Sequence, residues 1–219
     1  MVASTLGTAP SWRMGKSPQF GANVTRMTID FTALPPGLPE PQDDGAADHL
    51  PGMRIPALTL DSSMGPVDLA KLAAQRAVIY VYPKTGTPGE PPVAGWDDFP
   101  GARGCTPESC GFRDHAAELA AVGARVAGLS GQTLADQVAF ADRNRMPFPV
   151  IADPDLRLRD ALSLPTFALH GVTYLRRLTL VAEGGAVAKA FYPVFPPDRH
   201  AGEVLAWLHG RGPLRAGSR

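Results

Sequence analysis

Ala77–Tyr82 reads Ala-Val-Ile-Tyr-Val-Tyr. The run is apolar or aromatic almost throughout, with no apolar–polar alternation. A strand covered on both faces looks like this, and such strands lie inside sheets that carry helices above and below. Pro83–Gly104 follows as a loop dense in proline and glycine. Beyond it, Phe112, Ala116, Leu119 and Ala120 fall at i, i+4, i+7 and i+8, the apolar stripe of one helix. Arg125–Leu129 reads as a second strand. Thr133 with Asp136 resembles a capping box and opens a helix with Leu134, Val138 and Ala141 inward.

Phe148–Ile151 is a third strand and Asp155–Leu162 a further helix. Leu178–Val181 and Val187–Phe191 form a hairpin about the turn dipeptide Gly184–Gly185. Asp198 is expected to cap a last helix that ends at Gly210. Upstream, Ile55–Leu60 reads as a short strand, Asp61–Pro66 as a turn and Val67–Ala74 as a short helix. Prolines 35, 36, 39, 41 and 51 make residues 28–56 irregular. Strands alternating with helices, followed by a hairpin and a final helix, give an α/β fold. It has a central mixed sheet flanked by helices, with the hairpin as antiparallel edge. The order is compatible with a thioredoxin-like fold, and there is no internal repeat.

The bulk properties narrow the function. A chain of 219 residues holds one domain with a sizeable core, or one domain plus a tail. Lys+Arg and Asp+Glu are both 21, so no charge excess argues for nucleic acid or an anionic membrane as partner. No apolar run reaches the roughly 18 residues of a membrane span. Residues 1–26 hold three basic and no acidic side chains and no apolar core of a secretory signal. They read as a disordered extension, followed by an irregular Pro-rich segment over 27–54, a domain over 55–212 and a tail over 213–219. Without an export signal, cytoplasm is the expected compartment.

Only two cysteines occur, Cys105 and Cys110. Five residues apart and without a Cys/His cluster, they do not form a zinc site, and nothing calls for a metal or a cofactor. Redox chemistry remains. Cys105 stands where a loop becomes a helix, so free N–H groups and the helix dipole favour its thiolate. Pro107 suits the first turn. Cys105 lies on the inward stripe with Phe112, and Cys110 is turned from it by about 140°. Residues five apart in an intact helix have Cα atoms roughly 8–9 Å distant, whereas a disulfide needs less than about 7 Å. Pairing the two therefore requires the first turns to unwind, a two-state switch. The bland alternative is that both are inert buried residues.

The segment GCTPESCGFRD, Gly104–Asp114, resembles the active site of the PrxQ, or bacterioferritin-comigratory, peroxiredoxins. YPKTGTPG at Tyr82–Gly89 resembles the strand end and loop before the catalytic cysteine of that family, and RLTLV at Arg177–Val181 the strand bearing its active-site arginine. The likeness runs from about Ile55 to Leu208. It implies a thioredoxin-like fold and a thiol peroxidase acting on hydrogen peroxide and organic hydroperoxides. Cys105 would be peroxidatic and Cys110 resolving, closing an intramolecular disulfide that thioredoxin or a similar dithiol reduces. Arg177 would stabilise the thiolate and the leaving oxygen, Thr87 would orient the peroxide, and Pro83 would shield Cys105. The chain departs from the family pattern P-x-x-x-T-x-x-C. Position 90 is Glu, and the matching cysteine arrives after about fifteen more residues, Glu90–Gly104. A loop insertion that bulges outward and returns Cys105 to its place is the simplest account; displacement of Thr87 is the alternative. Trp96, inside this stretch, is read either as a lid contact or as exposed.

Three features are less decisive. Tyr192–Arg199 (YPVFPPDR) reads as a packed loop or an interface patch. Leu164–Phe167 (LPTF) resembles the step that carries a cis-proline in thioredoxins, though a plain turn suffices. PrxQ relatives are often monomeric, which with YPVFPPDR implies a monomer or weak dimer. Competing functions are a thiol–disulfide oxidoreductase, which lacks its C-x-x-C here, and a non-turnover redox sensor on the same fold.

Overall fold

The computed structural model describes Met1 and residues 31–212. The expectations for residues 1–26 and 213–219 fall outside these residues, Met1 apart. A five-stranded sheet organises the chain: β3 (Arg76–Val81), β4 (Ala124–Ser130), β5 (Val150–Ala152), β8 (Leu178–Glu183) and β9 (Ala186–Phe191). Their order is β5-β4-β3-β8-β9. β3, β4 and β5 are parallel, whereas β8 runs antiparallel to β3 and β9 to β8. The hairpin is therefore the antiparallel edge, turning at Gly184–Gly185 with both glycines at positive φ.

All six residues of β3 are buried. Ala77, Ile79 and Val81 join one core, and Val78, Tyr80 and Tyr82 join the other. The alternation that a half-covered strand would show in its sequence is absent because both faces are dry. The first core takes α1 (Leu69–Ala73) and α5 (Arg157–Leu162). The second takes α2 (Cys105–Asp114), α3 (Ala116–Ala121), α4 (Leu134–Asn144) and α6 (His200–Arg211).

Several expectations shift. Extended pairing in 55–60 is confined to β1 (Thr59–Leu60), which joins β2 (Val67–Asp68), so the expected helix starts at Leu69 with Asp68 as its cap. The single helix after the loop is two, α2 and α3, parted at His115. Phe112 and Leu119 stay buried, but Ala120 is exposed on the far side of the break. The Thr133–Asp136 capping box forms. The inward face of α4, however, is Gln137, Phe140 and Ala141, with Leu134 and Val138 exposed. Gln137 takes the inward place because its amide donates to Ser130 Oγ and the Ile151 carbonyl and accepts from Tyr82 Oη. A fully paired polar side chain can occupy a core position.

α6 ends at Arg211. It is preceded by a 3₁₀ turn, Pro197–Arg199, and is not capped by the Asp198 side chain. Among the described residues the cis peptide bonds are Tyr192–Pro193 and Phe195–Pro196, so Leu164–Pro165 is a plain trans step. It leads into a hairpin not foreseen from the sequence, β6 (Thr166–Leu169) with β7 (Val172–Leu175). Upstream, residues 31–54 hold no helix or named strand, yet Ala47 and Leu50 are buried in the first core.

Candidate active site

Cys105 is the first residue of α2, and its position depends on Gly104. Gly104 has φ +106°; a Cβ there would overlap Pro197 Cγ and come within 2.9 Å of Leu34 Cδ2. Only glycine tolerates both the conformation and the close approach. Pro197 belongs to Tyr192–Arg199, which packs as a loop with Val194 and Pro197 buried and Phe195 exposed at 37%.

The Cys105 side chain is 3% exposed, and its sulfur lies 3.2 Å from Arg177 Nη2. Arg177 sits one residue before β8 and is itself buried. Every nitrogen of its guanidinium is engaged. Nε donates to the Gly101 carbonyl, Nη2 also donates to the Ala102 and Arg103 carbonyls, and Nη1 pairs with Glu108 Oε2. Arg176 turns elsewhere, to the Thr166 carbonyl and the Phe99 ring, as alternation along an extended segment requires.

Glu108 was not singled out in the sequence. It lies three residues after Cys105, on the same face of a helix, and that spacing was the available signal. It is fully buried, and its Oε1 has no partner. Burial raises its pKa above the ordinary carboxylate value, against the pull of Arg177 and His200. Burial opposes the Arg177 charge too, but Cys105 and Glu108 outweigh it and hold the guanidinium protonated. For Cys105, burial pushes the thiol above its ordinary value. Arg177 and the Lys84 backbone N–H pull down, and Glu108 pushes up. The helix-start position alone suggested a thiolate favoured at neutral pH. In this closed, reduced arrangement desolvation outweighs that preference.

Cys110 is half-buried on another face of α2, its sulfur 3.9 Å from Asn144 Oδ1. Burial raises its pKa and Arg113 opposes this. Neither cysteine is in a disulfide, and α2 is continuous between them.

The residues expected to insert a bulge do not simply project outward. Trp96 is 6% exposed and sits 5.0 Å from the Tyr174 ring and 5.9 Å from Phe167; Phe99 stacks on Phe167 at 4.0 Å. His170 Nε2 meets the Ala94 carbonyl at 2.9 Å. Glu90–Gly104 is thus docked on the β6–β7 hairpin. Its last residues supply the three carbonyls that hold Arg177.

Between the insertion and Cys105 lies a cavity of about 160 Å³. Thr87, itself exposed, lines it together with Cys105. Pro83 is buried between β3 and the Lys84–Thr87 wall, not itself in that wall. Neighbouring Thr85 is buried and bound through both its N–H and its hydroxyl to Gln132 Oε1, which fixes this stretch of loop. Among the described residues no three His, Cys, Asp or Glu side chains gather as metal ligands do.

A sulfur closed off from solvent, beside a permanent cation and facing a small cavity, suits a small oxidant better than a protein disulfide. On this sheet it defines a thioredoxin-fold thiol enzyme. The Redoxin family model matches residues 50–205. The chloroplastic peroxiredoxin Q of Sedum lineare is 30% identical over 158 residues, 72% of this chain and 76% of that protein. That of Triticum aestivum is 31% identical over 151 residues, 68% and 62% respectively. Among solved structures, peroxidoxin BcpB of Mycobacterium tuberculosis has a TM-score of 0.59 at 27% identity, covering 73% of this chain and 96% of its own. Peroxiredoxin Q of Xanthomonas campestris has 0.57 at 26%, covering 78% and 96%. The chain belongs to the Redoxin family and, within it, to the thiol peroxidases of the peroxiredoxin Q type.

Proposed function

We propose that Cys105 is the peroxidatic residue and Cys110 the resolving one. Cys105 attacks the terminal peroxide oxygen, releases water or an alcohol and becomes a sulfenic acid; Cys110 condenses with it to an intramolecular disulfide. The observation that carries this is the 3.2 Å contact of Arg177 Nη2 with a buried sulfur at a helix start. There the guanidinium stabilises both thiolate and departing oxygen. Thr87, lining the same cavity, orients the peroxide, and Pro83 keeps water from the sulfur. A dithiol of the thioredoxin kind reduces the disulfide by exchange. A related bacterioferritin comigratory protein of Xanthomonas campestris, 25% identical with a TM-score of 0.57, is described for alkyl peroxide reduction, which supports organic hydroperoxides as substrates beside hydrogen peroxide. The enzyme works in the cytoplasm as a monomer or weak dimer, without nucleic acid or membrane. Among the described residues no helix is long and apolar enough to cross a membrane, and the charge balance offers no field for a polyanion.

The test is to mix the reduced protein with one equivalent of hydrogen peroxide, count thiols and map disulfides by mass spectrometry. Loss of two thiols and an internal Cys105–Cys110 bond are expected. Cys105→Ser should abolish turnover, and Cys110→Ser should retain a single burst of peroxide reduction. The reverse pattern would exchange the two roles.

A further inference from the structure

The cavity beside Cys105 is larger than hydrogen peroxide needs. It measures about 160 Å³. A water molecule's share of liquid volume is only about 30 Å³, and an engineered apolar cavity of about 150 Å³ takes up benzene. Its apolar walls come chiefly from the insertion, Pro91, Pro92, Val93 and Trp96, together with Phe31. These walls are preformed. Trp96 is fixed against Phe167 and Tyr174, and Val93 packs on the same aromatic cluster. Phe31 lies so close over Gly86 that a Cβ there would run into its ring. A site already in shape loses little in ordering when a ligand enters. Lys84, Glu90 and Arg103 bring charges of both signs to the walls, Arg103 being paired with Asp97 at 3.2 Å, so no single-sign field selects an ionic tail.

We propose that the insertion makes this cavity a subsite for the organic tail of a neutral hydroperoxide carrying a group about the size of a phenyl ring, and that such hydroperoxides are turned over in preference to hydrogen peroxide. This rests on the peroxidase reading of Cys105. In the step, the sulfur bonds to the terminal peroxide oxygen as the O–O bond breaks. The thiol is oxidised to sulfenic acid and the hydroperoxide reduced. The thiol proton ends on the departing oxygen, which leaves as the corresponding alcohol.

The experiment is single-turnover oxidation of the reduced full chain by hydrogen peroxide, tert-butyl hydroperoxide and cumene hydroperoxide. Rate constants for cumene hydroperoxide are expected to exceed those for hydrogen peroxide by on the order of tenfold or more, the discrimination an apolar pocket achieves for added hydrocarbon. Val93→Trp fills the cavity without adding charge and should lower that ratio by about tenfold. The alcohol product, 2-phenyl-2-propanol, is an unreactive occupant. It should slow oxidation of the native protein by hydrogen peroxide competitively, a readout that stands even where Val93→Trp fails to fold. Equal or slower reaction with cumene hydroperoxide, a ratio untouched by Val93→Trp, or no competition by the alcohol would each overturn the subsite while leaving the peroxidase intact. Failure of every peroxide to oxidise Cys105 would instead remove the reading beneath it.

Discussion

Arg177 is bound to Cys105, to Glu108 and to three backbone carbonyls at once, so its loss has separable consequences. Arg177→Met leaves the Glu108 carboxylate buried without a partner, which costs on the order of 3–5 kcal/mol. The double variant Arg177→Met/Glu108→Leu should recover most of that stability in urea unfolding and none of the peroxidase rate. Recovery of both would mean that Arg177 acts only by packing. The same pair sets the pH profile. Burial holds the Cys105 thiol high, Arg177 pulls it down and Glu108 pushes it up. The reaction needs thiolate, so the rate of oxidation should climb with pH towards an inflection. Loss of the cation should move that inflection up, whereas Glu108→Gln should move it down. Stopped-flow rates across pH measure both, and shifts of the same sign would refute the balance described. Gly104→Ala, forced into positive φ and against Pro197 and Leu34, should displace the start of α2. A loss of activity of at least about tenfold is expected, measured against the unaltered chain under the same assay.

At the scale of elements, α2 would carry the switch that the proposed Cys105–Cys110 disulfide requires. It is helical from Cys105 to Asp114 while the thiols are reduced, and a helix cannot bring residues five apart within bonding distance. Oxidation should therefore speed amide hydrogen exchange across residues 104–112 while β3 and β4 stay protected. Equally slow exchange in both redox states would sink the idea. The contrast with β3 shows what the sequence made legible. The unbroken apolar run of Ala77–Tyr82, the Gly184–Gly185 turn and the Thr133–Asp136 box are local signals, and each has its expected structure. The positions of Cys105 and Arg177 could be placed by likeness to a family, and their contact follows from the sheet. What stayed hidden depends on long-range packing. Val138 lost its inward place to Gln137, whose partners Tyr82, Ser130 and Ile151 come from other strands. The β6–β7 hairpin was missed because its residues alternate weakly and Phe167, Leu169 and Tyr174 pack with the insertion, leaving Leu175 to reach the main core. Glu90–Gly104 looked like a bulge because nothing local says that Trp96 meets Tyr174, 78 positions along the chain.

For the molecule as a whole, the two cores should respond unequally to the proposed redox cycle. Phe112 of α2 is fully buried and stacks on Tyr80 of the central strand at 4.4 Å, and His200 of α6 meets the Phe112 ring at 5.8 Å. Unwinding the start of α2 strips Cys105 from Arg177 and loosens the seat of Phe112, all within the second core. The first core, on the other face of β3, has no residue from α2. Against this loss stands the constraint a disulfide places on the unfolded chain. For a loop of about six residues it is worth only about 2 kcal/mol, because the effect grows with the logarithm of loop length. Breaking the buried Arg177–Cys105–Glu108 cluster and the first helical hydrogen bonds costs more than that by the ordinary magnitudes of charged hydrogen bonds, about 1.5–3 kcal/mol each. The disulfide form is therefore expected to be the less stable one, contrary to the usual effect of a cross-link. Calorimetry on the oxidised protein without reductant should give a Tm several degrees below that of the reduced protein, with the Cys105→Ser/Cys110→Ser variant insensitive to redox state. A higher Tm on oxidation would show that the constraint of the cross-link outweighs the cost of unwinding α2, and would overturn this ordering of the two forms.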